Sequence, residues 1–366
     1  MNRAPFSAIV AFGLLTVLTV APHAAFAQTT NPPRFLALAF ANKDHGWAGG
    51  GDGIEVTEDG GRSWYPQFRG RRVDELVIVR HRSVYALADG AVLHTSDDGL
   101  SWATIAQPQP ALKRIAFTSD RDGLGVGVDS LLYATSDGAK TWQRAKFDKP
   151  IDDVCFSDKR TGFVGGAVSA PTLGAFDGVA TTKDGGRIWS DAARPPTDGL
   201  VGIAGHSLYC TRGSVYDLVN LGPNAGGAAY VLARSTDGGH SWKPVVTGGQ
   251  VPSLAHVPQG PGTEATSMSA YSPRAAYVAG FCGACGTAGQ SSFGATTDSG
   301  KTWQNVTLDA IGFTSAPVFT SPQHGWIGAR VLTKNEPVAA DEVLVTDDAG
   351  RNWTTIFAAR ASSAPN

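Results

Sequence analysis

Apolar residues in this chain come in short alternating runs cut by Gly, Asp, Ser and Pro, and no stretch sustains the 3.6-residue period of an amphipathic helix. The stretch after Glu75 shows the pattern most clearly. Glu75–Arg80 (ELVIVR), Ser83–Ala88 (SVYALA) and Ala91–Thr95 (AVLHT) read as three strands, and an Asp98-Gly99 turn leads into a fourth that starts at Trp102 (WATI). Four short antiparallel strands in about 40 residues have the size of one propeller blade.

The turn before that fourth strand belongs to an eight-residue unit that recurs along the chain. It reads TEDGGRSW from Thr57, TSDDGLSW from Thr95, TSDGAKTW from Thr135, TKDGGRIW from Thr182, STDGGHSW from Ser235, TTDSGKTW from Thr296 and TDDAGRNW from Thr346. The Ser/Thr and the Trp are always seven positions apart. Its acids are Asp59, Asp97, Asp137, Asp184, Asp237, Asp298 and Asp348, and its tryptophans are Trp64, Trp102, Trp142, Trp189, Trp242, Trp303 and Trp353. In such a turn the Asp accepts backbone N–H groups, a Gly such as Gly99 takes positive φ, and the Trp covers the neighbouring sheet. A unit repeating every ~40 to 60 residues signals a closed radial array. The expected fold is an all-β, seven-bladed β-propeller over residues 34–357, with the repeated turn between strands three and four of each blade, a short segment 28–33 before it and a tail 358–366 after it. Blade 1 must then meet blade 7 to close the ring and remove its open sheet edges.

A second signature opens strand two: DHGWAGG at Asp44, DGLGVG at Asp122, TGFVGG at Thr161 and HGWIGA at His324. The eight-residue unit is the Asp box, or bacterial neuraminidase repeat. Combined with G-W/F-x-x-G, it resembles the photosystem II stability and assembly factor family of seven-bladed propellers and their bacterial relatives. The resemblance covers about residues 34 to 357 and implies a non-enzymatic scaffold that binds a protein, such as a membrane-protein assembly intermediate.

Composition narrows the setting. Residues 1–27 read as a cleaved signal peptide: Arg3 is the positive start, Ala8–Val20 the apolar stretch and Ala25-Phe26-Ala27 the cleavage site. That predicts export to the periplasm, the medium or, in a photosynthetic cell, the thylakoid lumen. Loss of Arg3 moves the formal net charge from -2 to -3, which gives no general attraction for nucleic acid or membrane. The expected molecule is a monomer that does not insert into a bilayer. Of the four cysteines, Cys282 and Cys285 are spaced to close a small local disulfide, while Cys155 and Cys210 fit a bridge or two buried thiols. No second CxxC or His pair completes a metal site, and no cofactor is expected. His45 and His324 occupy equivalent turns of blades 1 and 7, a repeat of turn chemistry.

Departures from the repeat point to function. From the start of strand two to the box Ser/Thr the spacing is 10, 10 and 11 residues in blades 1 to 3, but 19, 19, 19 and 20 in blades 4 to 7. From the box Trp to the next strand two it is 21, 22, 21, 27, 35 and 23, the longest containing Thr247–Gly262. These long loops fall on the face opposite the boxes, where binding is expected. The crossovers of blades 1 to 3 carry Arg69, Arg71, Arg72, Lys113, Arg114, Arg144 and Lys146, interleaved with Asp74, Glu75, Asp148, Asp152 and Asp153. The resembled family holds its partner on an arginine-rich surface, so these residues are the candidate partner-binding patch. The family's arginines do not map onto them one by one.

Asp boxes also occur in sialidases, which makes a glycoside hydrolase, or a non-catalytic glycan- or surface-binding propeller, the alternative. A retaining sialidase requires an arginine triad, a Tyr nucleophile with a Glu partner, and an acidic Asp. Here Pro33-Arg34-Phe35 places proline on the wrong side of the arginine, and the six glutamates (Glu55, Glu58, Glu75, Glu264, Glu336, Glu342) form no such set. Plant-polysaccharide hydrolases with similar repeats use two propellers, and this chain has length for one. No catalytic residue is assigned.

Overall fold

The structure is a computed structural model that describes residues 35–80, 82–166, 176–195, 203–224, 227–285, 289–332 and 339–359. The leader expected at residues 1–27, the segment 28–33 and most of the expected tail lie outside these residues. Seven antiparallel sheets follow one another: Ala37–Arg69, Val73–Ala106, Leu112–Arg144, Asp153–Asp191, Ile203–Gly248, Glu264–Leu308 and Gly312–Ala359. Each of the first six has four strands in chain order from channel to rim. In blade 7 the first strand is split, and Gly312–Phe313 and Val318–Phe319 both pair with Gly325–Leu332. The last strand, Thr354–Ala359, runs two residues beyond the expected end. One 3-10 turn, Pro252–Leu254, is the helical element among the described residues.

A sheet this small cannot cover both its own faces, so neighbours do. At the Asp boxes the reason is local. The Thr or Ser Oγ accepts the N–H four residues on, at 2.7 to 3.0 Å in all seven copies. The Asp Oδ1 accepts an N–H four residues beyond itself, at 2.8 to 3.0 Å. Donation from the Ser101 hydroxyl and N–H and from Thr95 holds Asp97 down to about 2. Gly99, at φ 83, lets the chain reverse beside Gln67. The turn then presents its Trp to the preceding blade: Trp102 rests on the blade 1–2 cluster, Trp303 on blade 5 and Trp353 on blade 6.

A second set of contacts comes from strand two. Tyr85 stacks on Phe117 of blade 3 at 3.9 Å, Tyr277 on Phe319 of blade 7 at 3.4 Å, and Trp326 on Phe40 of blade 1 at 3.7 Å. The polar ends reach further. Tyr85, Tyr216 and Tyr277 donate their hydroxyls to the carbonyls of Asp120, Pro273 and Pro322 in the next blade's first turn. Trp326 donates its indole N–H to Gly60 at 2.8 Å. Between blades 1 and 2, Gln67 Oε1 accepts from both Trp47 (3.2 Å) and Trp102 (3.1 Å). Ring closure is therefore a repeat of the ordinary junction, made with the chain's two ends.

The added length in blades 4 to 7 is used in different ways. In blade 5 it extends the hairpin, whose strands Ser214–Asn224 and Gly227–Ser235 stay paired almost to the tip. The central parts of the other three loops (167–175, 286–288 and 333–338) lie outside the described residues. Thr247–Gly262 folds back on its own blade: Thr247 exchanges backbone hydrogen bonds with Pro258 and Gly260, and Val251 and Val257 are buried. Physically it is a cap, because a loop with two buried valines is held by apolar burial.

Phe40→Ala removes the stack at ring closure and is expected to cost about 3–4 kcal/mol, read as a lower denaturant midpoint. An exposed control such as Leu100→Ala (83% exposed) should leave the midpoint nearly unchanged.

Candidate functional site

Strand order places the blade-to-blade crossovers and the two-to-three hairpins at one end of the ring, and the boxes at the other. The basic residues of blades 1 to 3 line the crossover end, but they span its full width. Arg69 closes the rim strand of blade 1, Arg71 and Arg72 form the crossover, and Lys113 and Arg114 already lie on the innermost strand of blade 3. Arg144 is on that blade's outermost strand, at the opposite edge of the sheet, with Lys146 just beyond.

The interleaved acids turn out to be specific partners. Arg69 reaches Asp52 at 3.2 Å and Glu55 at 3.4 Å, Arg72 reaches Asp74 at 2.7 Å, and Arg144 reaches Asp148 at 3.0 Å. Lys113 lies 3.8 Å from Asp152 and Arg114 lies 3.7 Å from Asp153. Arg71 and Lys146 have no acidic partner among the described residues. The pairs exposed on both sides contribute roughly 0–1 kcal/mol each. Arg69 with Glu55 and Arg114 with Asp153 instead set an exposed guanidinium against a buried carboxylate, and all of them fix where charge stands.

At the channel the innermost strands carry polar groups in successive blades. Ile115 N–H donates to Glu75 at 3.1 Å, Leu208 N–H to Asp153 at 2.9 Å, and Met268 N–H to the Tyr209 hydroxyl at 3.4 Å. Every donor belongs to the blade after its acceptor, so these side chains stitch the inner wall. Arg114, half-exposed, faces Glu75 on one side and Asp153 on the other. Burial pushes the Glu75 carboxyl up to about 7, against the pull of Arg114, and Asp153 adds to the rise. Burial also raises Asp153, and burial beside Asp153 takes Tyr209 up to about 12. Near neutral pH this wall therefore holds an exchangeable carboxyl proton. No group of three His, Cys, Asp or Glu suited to a metal ion occurs among the described residues.

A second polar group was not anticipated. His206, fully buried, places Nδ1 2.8 Å from Asp217 and Nε2 3.2 Å from Asp177, and Asp177 also meets Arg194 at 3.2 Å. Burial opposes a charge on His206, but the two carboxylates prevail and push it up to about 9. Asp177 lies 29 residues from His206 in sequence, and no spacing rule joins them. Both cysteine pairs are bridged: Cys282–Cys285 as expected, and Cys155–Cys210 as a link between the inner strands of blades 4 and 5. His45 bonds Glu58 in the box turn of its own blade at 2.8 Å and Asp98 in the box turn of blade 2 at 3.1 Å. His324 bonds Asp347 in the box turn of its own blade, so these histidines join first turns to box turns.

Residues 55–260 match the family model of the DUF6242 beta propeller domain. The chain belongs to this family. No curated protein matches it in sequence. Among solved structures this DUF6242 propeller is similar to YCF48 bound to D1 peptide, with TM-score 0.55, 19% identity, and coverage of 81% of this chain and 90% of that one. It is similar to YCF48 from Cyanidioschyzon merolae with TM-score 0.57, 16% identity, and coverage of 88% and 97%. The GH74 xyloglucanase from Xanthomonas campestris gives TM-score 0.56, 13% identity, and coverage of 88% and 67%. At these identities the likeness is one of fold, shared by a YCF48 propeller with a bound peptide and by a glycoside hydrolase.

Glu75 supplies a test of the inner wall. A carboxyl raised in the folded state contributes stability that is complete below its unfolded value of 4.5 and is lost as pH rises through about 7. Glu75→Gln keeps an acceptor for Ile115 and has no proton to lose. The wild-type melting temperature should fall relative to the variant between pH 5 and 8, by about 2–4 °C. Parallel pH profiles would contradict the assignment.

Proposed function

We propose that the chain is an exported, non-enzymatic propeller that holds a segment of a protein partner, such as a membrane-protein assembly intermediate, against the crossover face of blades 1 to 3. The observation that carries this reading is the charge left unpaired on that face. Arg71 and Lys146 have no acidic partner among the described residues, whereas Arg69, Arg72, Lys113, Arg114 and Arg144 each meet a carboxylate. A partner's carboxylates engage the two free cations without first breaking a pair, and the fixed pairs around them set register. The YCF48 structure with a bound peptide supports a propeller of this kind as a peptide holder. Two disulfides support an oxidising compartment, in keeping with the leader at residues 1–27.

One observation favours a second reading. Glu75, raised to about 7 beside Asp153, has the protonation expected of a general acid, and a GH74 xyloglucanase shares the fold. Hydrolysis of xyloglucan or a fluorogenic sialoside, lost in Glu75→Gln, would support it. No turnover at high protein concentration would remove it.

The binding reading predicts that mature protein captures a membrane protein from native extract of its own organism, identifiable by mass spectrometry. Arg71→Glu with Lys146→Glu should reduce that capture about 5- to 10-fold, with unchanged circular dichroism. Capture at the wild-type level by the folded double variant would sink the crossover-face assignment.

A further inference from the structure

The junctions between blades are not built alike, and the one between blades 4 and 5 stands apart. Where blades 2 and 3, 6 and 7, and 7 and 1 meet, a strand-two ring stacks on Phe117, Phe319 or Phe40. Those phenylalanines pair in register with Gly123, Gly325 and Gly46. In blade 5 the matching register pair is Cys210 with Val215, so sulfur stands where the ring would be. That sulfur is bonded to Cys155, on the inner strand of blade 4.

The rest of this seam differs in kind as well. Its apolar cluster is built on Phe163, Val179, Leu208 and Val215, with both cysteines packed against it. What crosses in its place is polar. Asp153 accepts the Leu208 N–H, and His206 of blade 5 lies between Asp217 of its own blade and Asp177 of blade 4. Asp217 Oδ1 is buried with no hydrogen-bond partner among the described residues. Charged groups regain hydration when a seam opens, which offsets the loss of their mutual attraction, whereas stacked rings regain none. The covalent bond is therefore a restraint that no other junction among the described residues shares.

We propose that the Cys155–Cys210 disulfide is a redox latch on a single seam of the ring, and that its reduction lets blades 4 and 5 part while the other junctions hold. Both cysteines are half-buried on the innermost strands, within reach of a small dithiol. One thiolate of the dithiol attacks one cysteine sulfur, forming a mixed disulfide and releasing the other cysteine as a thiolate that takes up a proton. The reagent's second thiolate then displaces the first cysteine. Two cysteine thiols remain, and the dithiol leaves as a cyclic disulfide, having supplied both electrons. The inference does not depend on which partner the ring carries.

Hydrogen exchange read by mass spectrometry tests it on the mature protein, folded oxidised and then reduced in place with dithiothreitol. A Cys282→Ser/Cys285→Ser background leaves only this disulfide to respond. Amides of Asp153–Phe156 and Ile203–Thr211 should exchange about 10-fold faster or more after reduction, while those of Ala37–Phe40 and Gly325–Leu332 change by less than about twofold. Cys155→Ser/Cys210→Ser without reductant should show the reduced pattern, which separates loss of the bond from effects of the reagent. Unchanged exchange at the two strands overturns the latch. So does an even rise over all blades, including global unfolding of either sample.

Discussion

The ring stands on Trp326, which lies flat on Phe40 and donates its indole N–H to Gly60, 266 residues away in sequence. Every four-stranded blade leaves two apolar faces that only neighbours can cover, so an open chain of seven would expose one face at each end. Closing the ring buries Phe35, Leu38, Phe40, Trp64, Trp326 and Val343 together, from the first and last blades. This contact demands nothing new, since Tyr85 on Phe117 and Tyr277 on Phe319 repeat the same geometry. Closure is thus the constraint under which the other junctions keep their shape.

With the ring closed, its two ends serve different purposes. At the box end, Thr and Asp side chains satisfy turn amides, and the tryptophans are turned into the neighbouring sheet. The crossover end holds charges in fixed pairs, and the inner wall carries groups that bridge from blade to blade. Under the proposed function, a partner meets charges already held in position, and ordering entropy is not lost on its account. The seam between blades 4 and 5 is tied by sulfur and charge, where the junctions of blades 2 and 3, 6 and 7, and 7 and 1 stack rings.

Much of the fold was legible in the sequence because a tight turn imposes local demands. Thr57, Asp59, Gly61 and Trp64 must stand at fixed spacing for the turn to close, and any copy announces itself. The blade count and the strand containing Trp47 or Trp326 follow from the same logic. Loop length was less informative: extra residues in blade 5 lengthened a hairpin, and Thr247–Gly262 became a cap held by Val251 and Val257. The site was legible only as a list of charges. That Asp153 would answer Arg114, or that Asp177 would reach His206 from the adjoining blade, depends on which strands the ring brings side by side. Cys155 and Cys210 fitted a bridge or free thiols, and only the meeting of two inner strands decides for the bridge.

The central claim is that partners are held at the crossover end and that the boxes are scaffold. Lysine-directed cross-linking of the complex with its captured partner tests this directly, since both ends carry lysines. Lys113, Lys146 and Lys149 stand toward the crossover end, and Lys43, Lys140, Lys159, Lys183 and Lys301 stand in turns at the box end. Cross-links to the partner concentrated on the first three agree with the account. Cross-links concentrated on the five box-end lysines would contradict it.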